Sequence, residues 1–118
     1  MNSVGRNAEE IASNFLKERG FQILERNYRC GHLEIDIIAY PPHTKSVIHI
    51  VEGRNEKTPL NLSELIGVSK QKFLISAAGS FLKREKICAE VVFDIVVVKF
   101  SKTTHSVAFI ENAFLPTW

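Results

Sequence analysis

Two alternating stretches dominate the chain, Leu33–Tyr40 and Val47–Arg54, separated by Pro-Pro-His-Thr-Lys-Ser. Both are rich in β-branched and aromatic residues, and the segment between them reads as a turn, so together they predict a β-hairpin. Successive side chains of a strand point to opposite faces. The odd positions are Leu33, Ile35, Ile37, Ala39, Val47, His49, Val51 and Gly53. They form a mostly apolar face that should pack on a helix. The even positions are apolar near the turn (Ile38, Tyr40, Ile48, Ile50) and charged at the open end (Glu34, Asp36, Glu52, Arg54). If Asp36 stands opposite Glu52, then Glu34 stands opposite Arg54. Directly opposed carboxylates repel. A cation must offset them, either Arg54 or a metal ion.

Periodicity changes on both sides of the hairpin. Over residues 3–19, Val4, Ala8, Ile11, Ala12, Phe15 and Leu16 recur at three and four and predict an amphipathic helix. Ser3 can cap it, and Gly20 sits where a helix end favours positive φ. Glu9 lies at the margin of the stripe. It reads either as a solvated helix acid, which the pattern alone favours, or as a carboxylate aimed at the hairpin. Phe21–Arg29 predicts a strand. Residues 55–68 read as a loop broken by Pro59 and Gly67, with Asn61 and Glu64 as a candidate capping box. Ser69–Arg84 predicts a second helix with the stripe Leu74, Ala77, Ala78, Phe81 and Leu82. Lys70 and Lys72 fall in its first turn, where the helix dipole disfavours cations. They are either exposed lysines or groups facing an anion.

Glu90–Phe100 is nearly continuous apolar sequence, as in a strand covered on both faces. Asp94 interrupts it, and a buried aspartate must be paired, here with an arginine or a backbone turn. Ser106–Ile110 predicts an edge strand, and Asn112–Trp118 a tail packing back through Phe114 and Trp118. The order α-β-β-β-α-β-β is that of an α/β fold with a mixed sheet.

At 118 residues the chain is long enough for one domain, residues 1–118, with a substantial core. Its 45% hydrophobic and 24% charged content is that of a soluble globular protein. No apolar run approaches a membrane span, and no signal-peptide core follows Met1, so a cytoplasmic location is expected. Cys30 and Cys88 are widely separated and predict two buried or half-buried thiols rather than a zinc site or disulfide. A net charge of +2 does not by itself argue for nucleic acid.

The residues resemble the YraN-like family of uncharacterised bacterial proteins, itself similar to the restriction-endonuclease-like, Holliday-junction-resolvase-like nucleases. The resemblance begins at Gly5, Ala8, Glu9 and Ala12 and runs through Arg26-Asn27-Tyr28-Arg29. Glu34-Ile35-Asp36-Ile37-Ile38-Ala39 matches a GEIDLIA-like stretch, and Ile50-Val51-Glu52-Gly53-Arg54 a FVEVK-like strand. Lys70, Leu74, Ala77, Ala78 and Leu82 match the second helix. Phe93-Asp94 and Asn112-Ala113-Phe114 match the closing segments. Leu33 replaces a family glycine, Arg54 the lysine of the ExK motif, and Val92 an arginine; Pro41–Ser46 lengthens the turn. An alternative alignment sets Arg54 on the arginine after ExK and loses the motif. The first is preferred because it keeps Glu52.

The resemblance implies a restriction-endonuclease-like mixed sheet flanked by helices, and a catalytic set of Glu9, Asp36, Glu52 and Arg54. Asp36 and Glu52 would bind Mg²⁺ or Mn²⁺, since phosphodiester hydrolysis uses a divalent ion held by hard oxygens. Arg54 supplies charge but cannot be deprotonated, and it is expected to neutralise the two acids in the metal-free protein. Arg26, Arg29, Lys70 and Lys72 are candidate phosphate contacts. Three readings follow: a metal-dependent nuclease acting on DNA, structured or branched; an inactive relative that binds nucleic acid or protein; or a salt-bridged cluster at a sheet edge. A homodimer is left open.

Overall fold

The computed structural model describes residues 3–55 and 66–116, residues 3–7 by their backbone alone. The chain runs α1 (Ser3–Glu18), β1 (Gln22–Cys30), β2 (Leu33–Tyr40), β3 (Val47–Asn55), α2 (Val68–Glu85), β4 (Glu90–Phe100) and β5 (His105–Phe114). This is the α-β-β-β-α-β-β order that the patterning predicts. The strands lie side by side in chain order. β3 and β4 are parallel and the other neighbours antiparallel, so the sheet is mixed. A parallel pair needs a long crossover, and here the chain makes it through α2.

A helix covers each face of the sheet. Ala8, Ala12 and Leu16 of α1 pack on Ile37, Ala39, Val51, Val96 and Val98. On the other face Leu74, Ala77, Ala78 and Phe81 of α2 pack on Ile38, Ile48, Ile50, Phe93, Ile95 and Val97. Burying one such Leu or Ile side chain contributes about 2 kcal/mol. β4 is thus apolar on both faces because both are covered.

The odd face of the hairpin departs from simple alternation. Ile37, Ala39 and Val51 meet α1 as expected, but Ile35 belongs to the α2 cluster. The break falls at Asp36. Opposite it in the β1–β2 register lies Asn27, with φ 54°. A residue in the left-handed region reorients the chain, and Tyr28, the next residue, joins Ile35 in the α2 cluster.

Both helices end alike. At α1, Gly20 (φ 89°) donates to the Lys17 carbonyl and Phe21 to the Leu16 carbonyl, the double bond of a Schellman cap. A Cβ on Gly20 would also lie 3.2 Å from Pro42 Cβ. At α2, Lys86 (φ 55°) occupies the same position, with Ile87 N–H on the Leu82 carbonyl.

β5 extends four residues beyond the expected edge strand and takes in part of the expected tail, for a reason supplied by Asp94. The β4–β5 register shifts between Phe93 and Ile95, which leaves extra residues of β5 in a bulge. Asn112 there has φ 52°, and its N–H donates to Asp94 Oδ1 at 2.8 Å. Asp94 Oδ2 makes a short hydrogen bond with His49 Nδ1. The buried aspartate therefore has the backbone-turn partner that sequence suggests, together with a histidine. Beyond the bulge Phe114 stacks on Phe93 with ring centroids 4.7 Å apart. Cys30 is half-buried as expected, but Cys88 is exposed, because it lies in the α2–β4 connection rather than on an apolar face. Ser3 as a cap, Pro59, the Asn61–Glu64 capping box and the packing of Trp118 fall outside the described side chains.

Candidate functional site

β2 and β3 pair through Ile37 with Val51, Ile38 with Ile50 and Ala39 with His49. One step further, the same register sets Asp36 opposite Glu52. There carboxylates meet the facing backbone. Glu52 Oε1 accepts the N–H of Asp36 at 3.2 Å, and Asp36 Oδ2 accepts the N–H of Gly53 at 2.8 Å. The two acids are thereby fixed side by side, each tied to the other's strand.

Their surroundings hold them back from ionising. Glu52 is 2% exposed. Burial, and next the neighbouring Asp36 carboxylate, push its carboxyl up to about 7, against the pull of Lys70 and the Asp36 N–H. Asp36 is half-buried, and burial likewise raises it, while the Gly53 N–H and Lys70 act the other way. Two acids so close titrate as a pair. Their need for positive charge is the electrostatic content of the site.

Lys70 meets part of that need. Its Nζ lies 3.2 Å from Glu52 Oε2, brought there by the first turns of α2. In the sequence Lys70 is a candidate phosphate contact or a cation facing an anion, and the offsetting role falls to Arg54 or a metal ion. The only sequence signal for Lys70 was a cation in a helix's first turn, against the dipole. Arg54 lies two residues past Glu52 on β3, in register with Val97, and is half-buried. Glu9, on α1, is partly buried. Burial first, then Asp36 and Glu34, raise its carboxyl, while Arg26 lowers it. Of the two acids it thus senses Asp36, and α1 and α2 pack on the two faces of the sheet.

The four candidate phosphate contacts differ in their surroundings. Arg26 is ion-paired with Glu10 at 2.9 Å, and Lys70 with Glu52. Arg29, opposite Glu34 in the register, and Lys72 are exposed.

The donor chemistry suits a hard divalent cation: two carboxylates, close together and short of positive charge. Among the described residues no group of three or more His, Cys, Asp and Glu side chains could hold a metal ion. The protein's share would be Asp36 and Glu52. Two carboxylates, completed by water and substrate phosphate, are an ordinary number for Mg²⁺. No helix among the described residues is long and apolar enough to cross a membrane.

Comparison with known proteins places this chain in a family. Residues 8–98 match the model of "Uncharacterised protein family UPF0102". A UPF0102 protein of Chloroherpeton thalassium is 34% identical, over 93% of this chain and 92% of its own. One from Desulforapulum autotrophicum is 36% identical, over 94% and 92%. One from Phocaeicola vulgatus is 30% identical, over 98% and 94%. The match takes in the hairpin, Lys70 and Asp94 alike, and the chain belongs to the UPF0102 family.

Proposed function

We propose that this protein is a metal-dependent nuclease of restriction-endonuclease-like fold, hydrolysing phosphodiester bonds in DNA at Asp36 and Glu52. The carrying observation is the exchange of hydrogen bonds that holds the two carboxylates together where β2 and β3 meet. A divalent ion bound there would supply Lewis acidity and charge neutralisation for the phosphate. The chain's own residues do the rest. Backbone N–H groups of Asp36 and Gly53 hold one oxygen of each acid and so orient both. Lys70 keeps a mobile ammonium at Glu52, where it can move between the carboxylate and an incoming phosphate. Glu9, with its raised carboxyl, can hold a proton near the leaving oxygen. Arg54 brings fixed charge but no base, which makes the reaction slow.

Plasmid and branched-DNA cleavage with Mg²⁺ or Mn²⁺ is the test. Wild-type protein should cut and Asp36→Asn and Glu52→Gln should not. Retained cutting by both variants would overturn the assignment. DNA binding without cutting would favour the non-catalytic reading, for which Arg54 in place of the motif lysine is the supporting observation.

A further inference from the structure

Most aromatic side chains of the described residues are packed, but Phe73 is 53% exposed. It lies on α2 one turn after Lys70, at the edge of the buried stripe, and it forms one lip of a groove of about 420 Å³. Cys30, His32 and Leu33 of the β1–β2 turn form the facing wall, with Ser76 and Ala77 at the base of the helix side. The turn that makes this wall is a two-residue hairpin, with Gly31 at φ 65° and Cys30 paired to Leu33.

The groove adjoins the acids. Leu33 is three residues before Asp36 on the same strand, about 10 Å at the rise of a β-strand. That is about three nucleotide rises along a DNA strand. Its walls are mostly apolar, but the exposed cations Arg29 and Lys72 each stand one residue before a wall residue, and His32 is exposed in the wall itself. An exposed aromatic ring over an apolar slot, with cations beside it and a carboxylate pair about 10 Å along the strand, has the composition of a base-stacking platform.

We infer that this groove takes an unpaired nucleobase of the DNA strand at the Asp36–Glu52 site, stacked on Phe73. This rests on the nuclease reading and adds the substrate class: DNA with single-stranded or frayed bases next to the bond attacked. Recognition is by the π-face of the base, so it does not read sequence. Lys72 and Arg29 would take the adjoining phosphates.

The experiment is equilibrium binding without divalent metal, in EDTA, so that cleavage is not required. A fluorescein-labelled single strand of about 16 nucleotides and a blunt duplex of equal length are compared by anisotropy, with wild type, Phe73→Ala and Phe73→Trp. The wild type should prefer the single strand. Phe73→Ala should weaken single-strand binding by about tenfold and leave duplex binding unchanged. Phe73→Trp should retain the preference, and its fluorescence, beyond the Trp118 background, should be quenched by the single strand. Equal single-strand binding by wild type and Phe73→Ala, or no quenching of Phe73→Trp, overturns the inference. So does a self-association that Phe73→Ala dissolves without any effect on DNA binding. If the groove fails while Glu52→Gln still abolishes cutting, the nuclease reading stands without it. If neither strand form binds, both are lost.

Discussion

Glu52 accepts the backbone N–H of Asp36 through Oε1, so each acid of the pair is positioned by a strand other than its own. Removing either side chain therefore frees one backbone N–H, while the other acid keeps its own donor. The double variant Asp36→Ala/Glu52→Ala should lose more stability than the two single losses added together, because each single change also relieves the repulsion between the acids and the double variant gains that relief only once. Urea denaturation of the four proteins gives the coupling directly. Strict additivity would show that the two acids do not act as a unit.

The raised carboxyl of Glu52 makes stability depend on pH. Its value moves from 4.5 to about 7 on folding, so the folded protein keeps a proton that the unfolded chain releases. The contribution is fully present below pH 4.5, declines as pH rises through about 7, and is then lost, on the order of 3 kcal/mol in all. Metal-free protein should thus gain less on going from about pH 5 to about pH 8 than Glu52→Gln does. Parallel pH profiles of wild type and variant would contradict this. Mn²⁺ should raise the melting temperature more at the higher pH, where both acids are ionised.

On the proposed reading, a metal ion would compete with Lys70 for Glu52. Lys70→Ala should tighten Mn²⁺ binding by about tenfold, about 1.4 kcal/mol, while slowing cleavage. Arg54→Lys should speed cleavage by restoring an amine that can lose its proton. Calorimetric titration beside the plasmid assay separates the effects. Weaker Mn²⁺ binding by Lys70→Ala would assign that lysine a supporting rather than a competing role.

Asp94, in register with Val51 beside Glu52, has partners of its own. Its two oxygens hold His49 and the Asn112 N–H inside the protein. Asp94→Ala strands both and should cost about 3 kcal/mol or more, without changing Mn²⁺ affinity in whatever fraction stays folded. A loss below about 1 kcal/mol would show that water replaces it.

The two Schellman caps offer opposite changes. Lys86→Gly should stabilise by about 1 kcal/mol, since φ 55° carries a Cβ penalty there. Gly20→Ala should destabilise by at least as much, since it adds a contact with Pro42 to the same penalty. Thermal unfolding of both variants decides the matter.

Much of this was legible along the chain. Period-two alternation flanking a Pro-rich turn predicts the hairpin, and the opposition of Asp36 and Glu52, a condition in the sequence, follows from the register the two strands adopt. The 3.6-residue stripes of α1 and α2 were equally plain. Ile35 was not, because its reversal depends on Asn27 taking a left-handed conformation on another strand. The contact of Lys70 with Glu52 was not legible either, because it is set by the crossover from β3 through α2, a geometry with no local signature. Asp94 advertised a need for partners, but His49 is 45 residues away, and only the parallel register of β3 and β4 brings them together.

The register irregularities fall on the two outermost strands. β1 shifts between Ile23 and Glu25 and turns left-handed at Asn27, and β5 bulges at Asn112. An outer strand offers unpaired N–H and C=O groups to any passing chain, and a long flat one invites a fibre. Neither outer strand here is flat along its whole length. The same kinks that aim Asp36 and receive Asp94 thus work against open-ended stacking of one sheet on the next copy. Straightening them, by relieving the positive φ at Asn27 or Asn112, would expose these edges to aggregation, and at Asn27 it would also disturb the strand around Asp36.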